Sequence, residues 1–115
     1  VKGSRIPDVL CFMAARLADY KRDVPDWGSK PFVLVPDLCI EVISPNDNYS
    51  DVDDKVAVYL EDGVRLVWVI NPRNRTVKVY TAGSNQSTNL KADDTLTGGD
   101  VLPGFSTPVR NLFPE

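Results

Sequence analysis

The sequence predicts an α/β fold in which a mixed β-sheet is flanked by a helix. Short apolar runs recur between Pro, Gly and Asn residues, which is typical of buried strands. Between two of these runs lies a segment with helix punctuation, because Ser50 is a candidate N-cap and Gly63 stands just past the end. A strand, a helix and a strand in this order favour a right-handed parallel crossover.

The first half of the chain predicts two strands joined by a surface connection. Residues 5–14 are largely aliphatic and are predicted to form the first strand. Residues 15–31 are polar and punctuated by Pro and Gly, which is typical of a connection on the surface. The second strand spans residues 32–44. Because Pro36 favours a bulge or a break, its secure part begins at Asp37.

The second half predicts the helix, a hairpin and a short tail. The helix is about 12 residues long, with Asp side chains in its first turn. Its apolar stripe consists of Val52, Val56, Tyr59 and Leu60. Residues 63–70 form a strand, 71–75 a turn and 76–82 the second strand of the hairpin. The remainder predicts one short strand near Asp100 and a loosely helical end.

Length and hydropathy bound the organisation of the chain. At 115 residues it forms at most one domain, residues 1–115. It opens on Val1 with a strand signal almost at once, so we expect a fragment or a processed product. No apolar run approaches the roughly 20 residues of a membrane span, and no leader pattern is present. We therefore expect a cytoplasmic protein without a membrane partner.

Charge and composition narrow the chemistry. The net charge of −3 and the pI near 4.9 argue against a protein that coats nucleic acid through bulk positive charge. The chain contains no histidine, which removes the usual general base and the triads that need an imidazole. Acid–base work must therefore fall to carboxylates, lysine or metal-bound water.

The two cysteines, Cys11 and Cys39, predict reduced thiols. If Asp8 and Glu41 share one face of the sheet, strand alternation places the two cysteines on opposite faces. A disulfide between opposite faces is geometrically unfavourable. No CxxC or zinc spacing is present.

A glutamate in an apolar run is the main candidate for function. Residues 36–45 read PDLCIEVISP, and a buried carboxylate such as Glu41 is costly unless it is paired, protonated or bound to a cation. Magnesium-dependent phosphodiester cleavage needs two or more carboxylates around one ion. Asp37 lies four strand residues away, about 13 Å, which is too far to share an ion with Glu41. We interpret it as a turn residue, a common use of a proline–aspartate pair. Asp8 can lie opposite Glu41 on a neighbouring strand, about 4.8 Å away.

Lys55 is the third candidate. It lies at the edge of the helix's apolar stripe, between Val52 and Tyr59. One interpretation is a side chain whose stem covers core surface. The other is an ammonium group aimed at the sheet, where it would hold a phosphate or water and offset charge in the transition state.

These segments together resemble a known family. The motifs RIPDVLCF, PDLCIEVISP, DDKVAVYLEDGV, VWVINPRNRTVKVY and LPGFSTPVRNLF resemble, in this order, the Uma-type restriction endonucleases of the PD-(D/E)-x-K nuclease superfamily. The resemblance implies a restriction-endonuclease-like fold in which Asp8 and Glu41 bind magnesium. The superfamily's lysine position, two after Glu41, holds Ile43, so the resemblance points to Lys55 instead. It also suggests Ser44 as a hydrogen-bond donor to the site.

The resemblance also implies an N-terminal portion that precedes the proline–aspartate strand. We expect this chain to lack that portion. If the protein starts at Val1, the sheet then has an open edge, which favours a homodimer or a non-catalytic state.

Three functions remain open at this point. The first is a Mg²⁺-dependent endonuclease, with Mn²⁺ as the alternative ion and DNA favoured over RNA. The second is an inactive interaction module in which Glu41 pairs with Arg5 or Lys55. The third is nucleic-acid binding without cleavage, through Lys21–Arg22 and through Arg73 and Arg75, which are more typical of a solvated loop and turn.

Overall fold

The computed structural model describes residues 8–29, 34–84 and 86–114. The strands are β1 (Val9–Cys11), β2 (Leu38–Val42), β3 (Leu66–Asn71), β4 (Thr76–Thr81), β5 (Ser87–Leu90), β6 (Thr95–Gly98) and β7 (Leu102–Pro108). The helices are α1 (Ala14–Asp23) and α2 (Tyr49–Glu61), with 3₁₀ turns at Trp27–Ser29 and Val109–Leu112. Neither α-helix of the described ranges has the length and apolar character needed to cross a membrane.

Five strands form one mixed sheet in the order β1-β2-β3-β4-β5. Strands β2 and β3 are parallel and joined through α2, while the other neighbours pair antiparallel. This arrangement confirms the predicted α/β fold with a parallel crossover. The predicted hairpin is also confirmed, since β3 and β4 pair across the turn that follows Asn71.

The sheet is packed on both faces. On the face that we call the helix face, α2 packs against Cys39, Val67 and Val69. On the opposite face, the hairpin face, the core joins the sheet to the separate β6–β7 pair. The buried residues of that second core are Leu38, Leu66, Trp68, Val77, Leu96, Val101 and Val109. Because apolar side chains face both ways, β2 and β3 read as nearly continuous apolar runs.

Both cysteines are free thiols, as predicted. Cys11 pairs with Leu38 and packs on the hairpin face, whereas Cys39 packs on the helix face. Burial is the main cause that raises the pKa of Cys39, to about 12. The thiols therefore lie on opposite sides of the sheet, where strand alternation places them.

The prediction for residues 5–31 was wrong in part. Residues 5–7, 30 and 31 lie outside the described residues. In the described part of this segment, the strand ends at Cys11 and helix α1 begins at Ala14. None of the residues of α1 is fully buried, so the helix lacks a buried stripe like that of α2. The segment that we predicted to be a connection therefore contains a largely exposed helix.

Asp37 anchors the start of α1 from a distance of 24 residues in the chain. Its Oδ2 accepts a hydrogen bond from the backbone N–H of Met13 at 2.7 Å, and its Oδ1 pairs with the Arg16 guanidinium at 2.8 Å. Arg65, just before β3, lies 3.7 Å from the same oxygen. Asp37 is only 1% exposed, so our interpretation of it as a turn residue was wrong. It is a buried carboxylate that ties α1, β2 and β3 together.

Helix α2 begins two residues earlier than predicted. The N-cap is Asn48, whose side chain accepts a hydrogen bond from the backbone N–H of Ser50 at 2.9 Å. The apolar stripe is confirmed, because Val52, Val56 and Tyr59 are buried. The helix ends before Gly63, whose φ of +105° is a conformation that suits glycine.

The last third contains three strands where one was predicted. Strands β6 and β7 pair antiparallel with a register shift at Thr97/Gly98. At Gly98 a side chain would overlap Cβ of Leu102, so the close approach requires glycine. The 3₁₀ turn at Val109–Leu112 confirms the loosely helical end. Mostly polar, short strands bounded by glycine carry little periodicity, which explains the missed elements.

We expect Asp37→Asn to lower the free energy of unfolding by about 2–3 kcal/mol, measured by urea denaturation. The substitution leaves two guanidinium groups without their anion, but Arg16 and Arg65 are each about half exposed and regain water. The matched control is Asp19→Asn, which removes an exposed pair on α1 and should change stability by less than about 0.5 kcal/mol. Equal effects of the two substitutions would contradict the anchoring role.

Candidate active site

Glu41 lies in the middle of the sheet on the helix face. It is paired in register with Val69 of β3 and is only 5% exposed. The hydroxyl of Tyr59, which is fully buried on α2, donates a hydrogen bond to Oε1 of Glu41 at 2.5 Å. The glutamate in the apolar run is therefore a buried carboxylate and not an exposed strand end.

Asp8 lies beside Glu41, immediately before β1. The register pairs Val9 with Ile40, so the next antiparallel pair along the two strands is Asp8 and Glu41. Oδ2 of Asp8 accepts a hydrogen bond from the backbone N–H of Val42 at 2.7 Å. The Asp8 side chain is exposed to solvent and is close enough to Glu41 to raise the pKa of the glutamate. The structure thus brings together the two acids that the sequence paired.

Lys55 is half-buried on α2, one turn before Tyr59. Its charge acts on the carboxylates of Glu41 and Asp47 and favours the ionised form of both. Residues four apart on a helix face the same way, so Lys55 and Tyr59 approach the sheet from one stripe. The helix therefore supplies both a cation and a hydroxyl donor to the buried carboxylate.

The electrostatics of the site leave Glu41 incompletely compensated. Burial raises the pKa of Glu41, the Tyr59 hydrogen bond and the charge of Lys55 lower it, and Asp8 raises it further. The pKa of Tyr59 is raised, first by burial and then by Glu41, so its hydroxyl keeps its proton. A like charge nearby disfavours the ionised form of a carboxyl group, so Asp8 adds to the effect of burial on Glu41.

The donor set fits a hard divalent cation. Both acids offer oxygen ligands, which Mg²⁺ and Mn²⁺ prefer, and a cation between them would relieve the repulsion that raises the pKa of Glu41. In the described ranges, no group of three or more His, Cys, Asp or Glu residues is placed to hold a metal. Magnesium commonly binds through one or two carboxylates plus water and substrate phosphate. Asp8 and Glu41 would supply that protein share.

Ser44 does not donate to the acids as the resemblance suggested, and Ile43 is part of the core. The backbone N–H of Ser44 donates to Oδ2 of Asp47 at 2.8 Å, and this bond is the main cause that lowers the pKa of Asp47. The Ser44 hydroxyl acts on Asp47 in the same direction, and no hydrogen bond from it to Asp8 or Glu41 is present among the described residues. Ile43, at the superfamily's lysine position, packs half-buried against the helix-face core.

The basic residues considered for nucleic-acid binding divide into two groups. Lys21 lies over the ring of Trp27 at 4.6 Å, and Arg22 pairs with Asp19 and Asp23. Both side chains are therefore engaged by neighbours in or just after α1. Arg73 and Arg75 lie in the β3–β4 turn, as expected. Arg5, the alternative partner for Glu41, lies outside the described residues.

Tyr59 is the functional side chain that sequence reasoning missed. We assigned it only to the apolar stripe of the helix. A buried tyrosine hydroxyl almost always finds a polar partner, so a Tyr in a buried stripe opposite a strand that contains Glu41 was the available signal.

Comparison with known proteins identifies the family. The family described as Uma2, putative restriction endonuclease, matches residues 1–110. The chain belongs to this family. The resemblance drawn from the five motifs is thereby confirmed. A search of curated proteins found no match.

A solved structure supports the fold of this Uma2 chain. It is the crystal structure of a putative nuclease belonging to DUF820 from Anabaena variabilis ATCC 29413, with a TM-score of 0.64 and 23% sequence identity. The match covers 70% of this chain and 45% of that chain. The matched region therefore spans less than half of that protein's length. The likeness confirms the α/β fold.

We expect Glu41→Gln to stabilise the fold, increasingly so as the pH rises. Because the pKa of Glu41 is raised in the folded state, ionisation costs stability above the unfolded pKa of about 4.3, and the cost is complete above the folded pKa. Glutamine keeps an acceptor for Tyr59 without the charge. Each unit by which the pKa of a carboxyl group is raised on folding lowers the free energy of unfolding of the ionised protein by about 1.4 kcal/mol.

The measurement is the melting temperature of both proteins between pH 4 and 9. The gap between Glu41→Gln and the parent should open as the pH rises and then level off. The control is Glu61→Gln at the exposed end of α2, for which the gap should stay flat. A constant gap at Glu41 would show that its burial does not disfavour the charge.

Proposed function

We propose that this Uma2 domain is a metal-dependent nuclease that hydrolyses phosphodiester bonds of nucleic acid. The observation that supports the proposal is the position of Asp8 opposite Glu41 in the strand register, with the charge of Lys55 acting on Glu41 from α2. Restriction-endonuclease-like nucleases generally use divalent metal ions, and the oxygen-only donor set suits one.

The residues divide the work as follows. Asp8 and Glu41 would hold the ion, which when bound would polarise the phosphate and lower the pKa of water. Lys55 would offset the negative charge that grows on the phosphate oxygens. Tyr59 keeps its proton and holds Oε1 of Glu41, so the carboxylate keeps its orientation. The Val42 amide does the same for one oxygen of Asp8.

We propose Mg²⁺ as the ion, with Mn²⁺ as the alternative, and DNA in preference to RNA as the substrate. The proposed location is the cytoplasm. A homodimer would form through the edge of the sheet at β1, where Val9 and Leu10 are each more than two-fifths exposed.

The ion is tested by thermal shift. Millimolar MgCl₂ or MnCl₂ should raise the melting temperature of the parent protein, because a ligand that binds only the folded state stabilises it. Glu41→Gln and Asp8→Asn should remove most of this increase, and Glu61→Gln should keep it. An equal increase in all four proteins would assign the metal to another place.

Cleavage is tested with labelled DNA and RNA in the presence of each ion. Lys55→Met should lower the rate by about 10²–10³, by analogy with the loss of one group that stabilises transition-state charge. Its metal-dependent thermal shift should remain, since Lys55 does not hold the ion. Lys91→Met, an exposed lysine after β5, is the control and should keep full activity. A parent protein that binds metal yet cleaves neither substrate would favour the interaction module.

A further inference from the structure

Two adjoining cavities lie at the carboxyl ends of the parallel strands β2 and β3. One, of about 400 Å³, extends over the helix face of β4 and β5. The other, of about 490 Å³, lies between the β2–α2 loop and the β3–β4 turn. They share Ile43, Tyr49 and Asn71, so they form a single groove around the first turn of α2. We call it the α2-end groove.

One end of the α2-end groove lies next to the candidate active site. Ser44 and Asp47 line that end, and Val42, two residues before Ser44, donates its N–H to Asp8. The charge of Lys55 lowers the pKa of Asp47 in the groove and acts in the same direction on Glu41 in the candidate active site. This end of the groove therefore lies within a few residues of the strand position that binds Asp8.

The other end reaches the far side of α2. Lys78 and Asn89 line it, and both stand in the same cross-strand row as Glu41 and Val69. Two strand spacings separate Lys78 from Glu41, or about 10 Å between backbones. Polar side chains of the groove therefore lie on β4 and β5 in the same cross-strand row as Glu41.

An aromatic ring stands at the junction of the two cavities. Tyr49 is 60% exposed, more than the other exposed large apolar side chains of the described residues. The Asn71 amide lies 3.5 Å from its hydroxyl, which steadies the far end of the ring. An exposed tyrosine in a groove is suited to stacking with a nucleobase. Within a duplex each base is already stacked on its neighbours, so such a contact selects unpaired bases.

Two cations line the groove, Arg73 and Lys78. Neither forms an ion pair with any residue that the structure describes. In contrast, Arg16, Arg22, Arg65 and Arg110 all pair with aspartates. Arg73 and Lys78 therefore remain available for phosphates, one on each side of Tyr49.

The charge of the groove is nevertheless balanced, because Asp47 and Asp53 also line it. Bulk attraction for a polyanion is then small, in agreement with the net charge of −3. Asn74 and Asn89 offer amide donors and acceptors for base edges and sugars. This combination fits a short unpaired segment better than it fits a long duplex.

We infer that the α2-end groove binds an unpaired nucleic-acid strand, with one base stacked on Tyr49 and phosphates contacted by Arg73 and Lys78. The inference rests on the proposed nuclease function and names its substrate class. An unpaired strand, or a single-stranded end or flap of a duplex, passes from the groove to Asp8 and Glu41.

The test is fluorescence anisotropy with short labelled strands of DNA and RNA and with the matching duplex, in EDTA so that no cleavage occurs. The parent protein should bind a single strand more tightly than the duplex. Tyr49→Ala should weaken single-strand binding about fivefold or more, while Tyr49→Phe, which keeps the ring, should not. Tyr49 is exposed, so the fold should tolerate both substitutions.

The two cations are tested by salt dependence. Lys78→Ala and Arg73→Ala should each reduce the slope of log affinity against log salt by about 0.7, the value for one phosphate contact on a single strand. Lys91→Ala is the matched control and should leave the slope unchanged. Comparison of DNA with RNA strands shows which of the two the groove prefers.

Equal affinity for strand and duplex, or an unchanged affinity of Tyr49→Ala, would overturn the inference. Its failure is distinguishable from failure of the nuclease proposal. If metal binding and cleavage require Glu41 but Tyr49→Ala does not change strand affinity, the nuclease proposal stands and the inference about the groove is wrong. If strand binding requires Tyr49 but neither ion supports cleavage, the inference about the groove stands and the nuclease proposal is wrong.

Discussion

Two buried carboxylates flank the length of strand β2, Asp37 just before it and Glu41 near its end, and the surrounding structure must compensate both charges. At its start, Asp37 is surrounded by a backbone amide and two guanidinium groups. Near its end, Glu41 accepts a hydrogen bond from one hydroxyl and feels the charge of a lysine at longer range. A second acid lies beside it and disfavours its charge. A buried charge is costly without such partners, so the positions of α1, α2 and β1 are all coupled to this strand.

The two carboxylates are compensated to different degrees, and this difference separates structure from function. Asp37 is satisfied by cations within the fold and serves to hold three elements together. Glu41 faces Asp8, a like charge, and the pKa of Glu41 is raised by burial. A buried carboxylate whose charge the fold disfavours, next to an exposed second acid, is a candidate for a functional site.

Helix α2 connects the chemistry with the surface beside it. Its buried stripe packs on β3, Lys55 and Tyr59 act on Glu41, and its first residue, Tyr49, stands in the α2-end groove. A single rigid element therefore sets the distance between the acids and the groove. Sites built on helices and strands are more precise than sites on loops, which suits the proposed cleavage of a positioned phosphate.

The sequence alone determined those features that depend on local periodicity. Strand alternation and strand spacing were sufficient to pair Asp8 with Glu41 and to separate the two thiols. The stripe and punctuation of α2, and the alternation of β4, predicted a helix and a hairpin. The tertiary structure alone decided the role of Asp37, the helical state of α1, the partner of Tyr59 and the strands of the last third. The Asp37 contacts with Met13 and Arg65 join residues far apart in the chain, and no local pattern encodes which distant group will satisfy a buried charge.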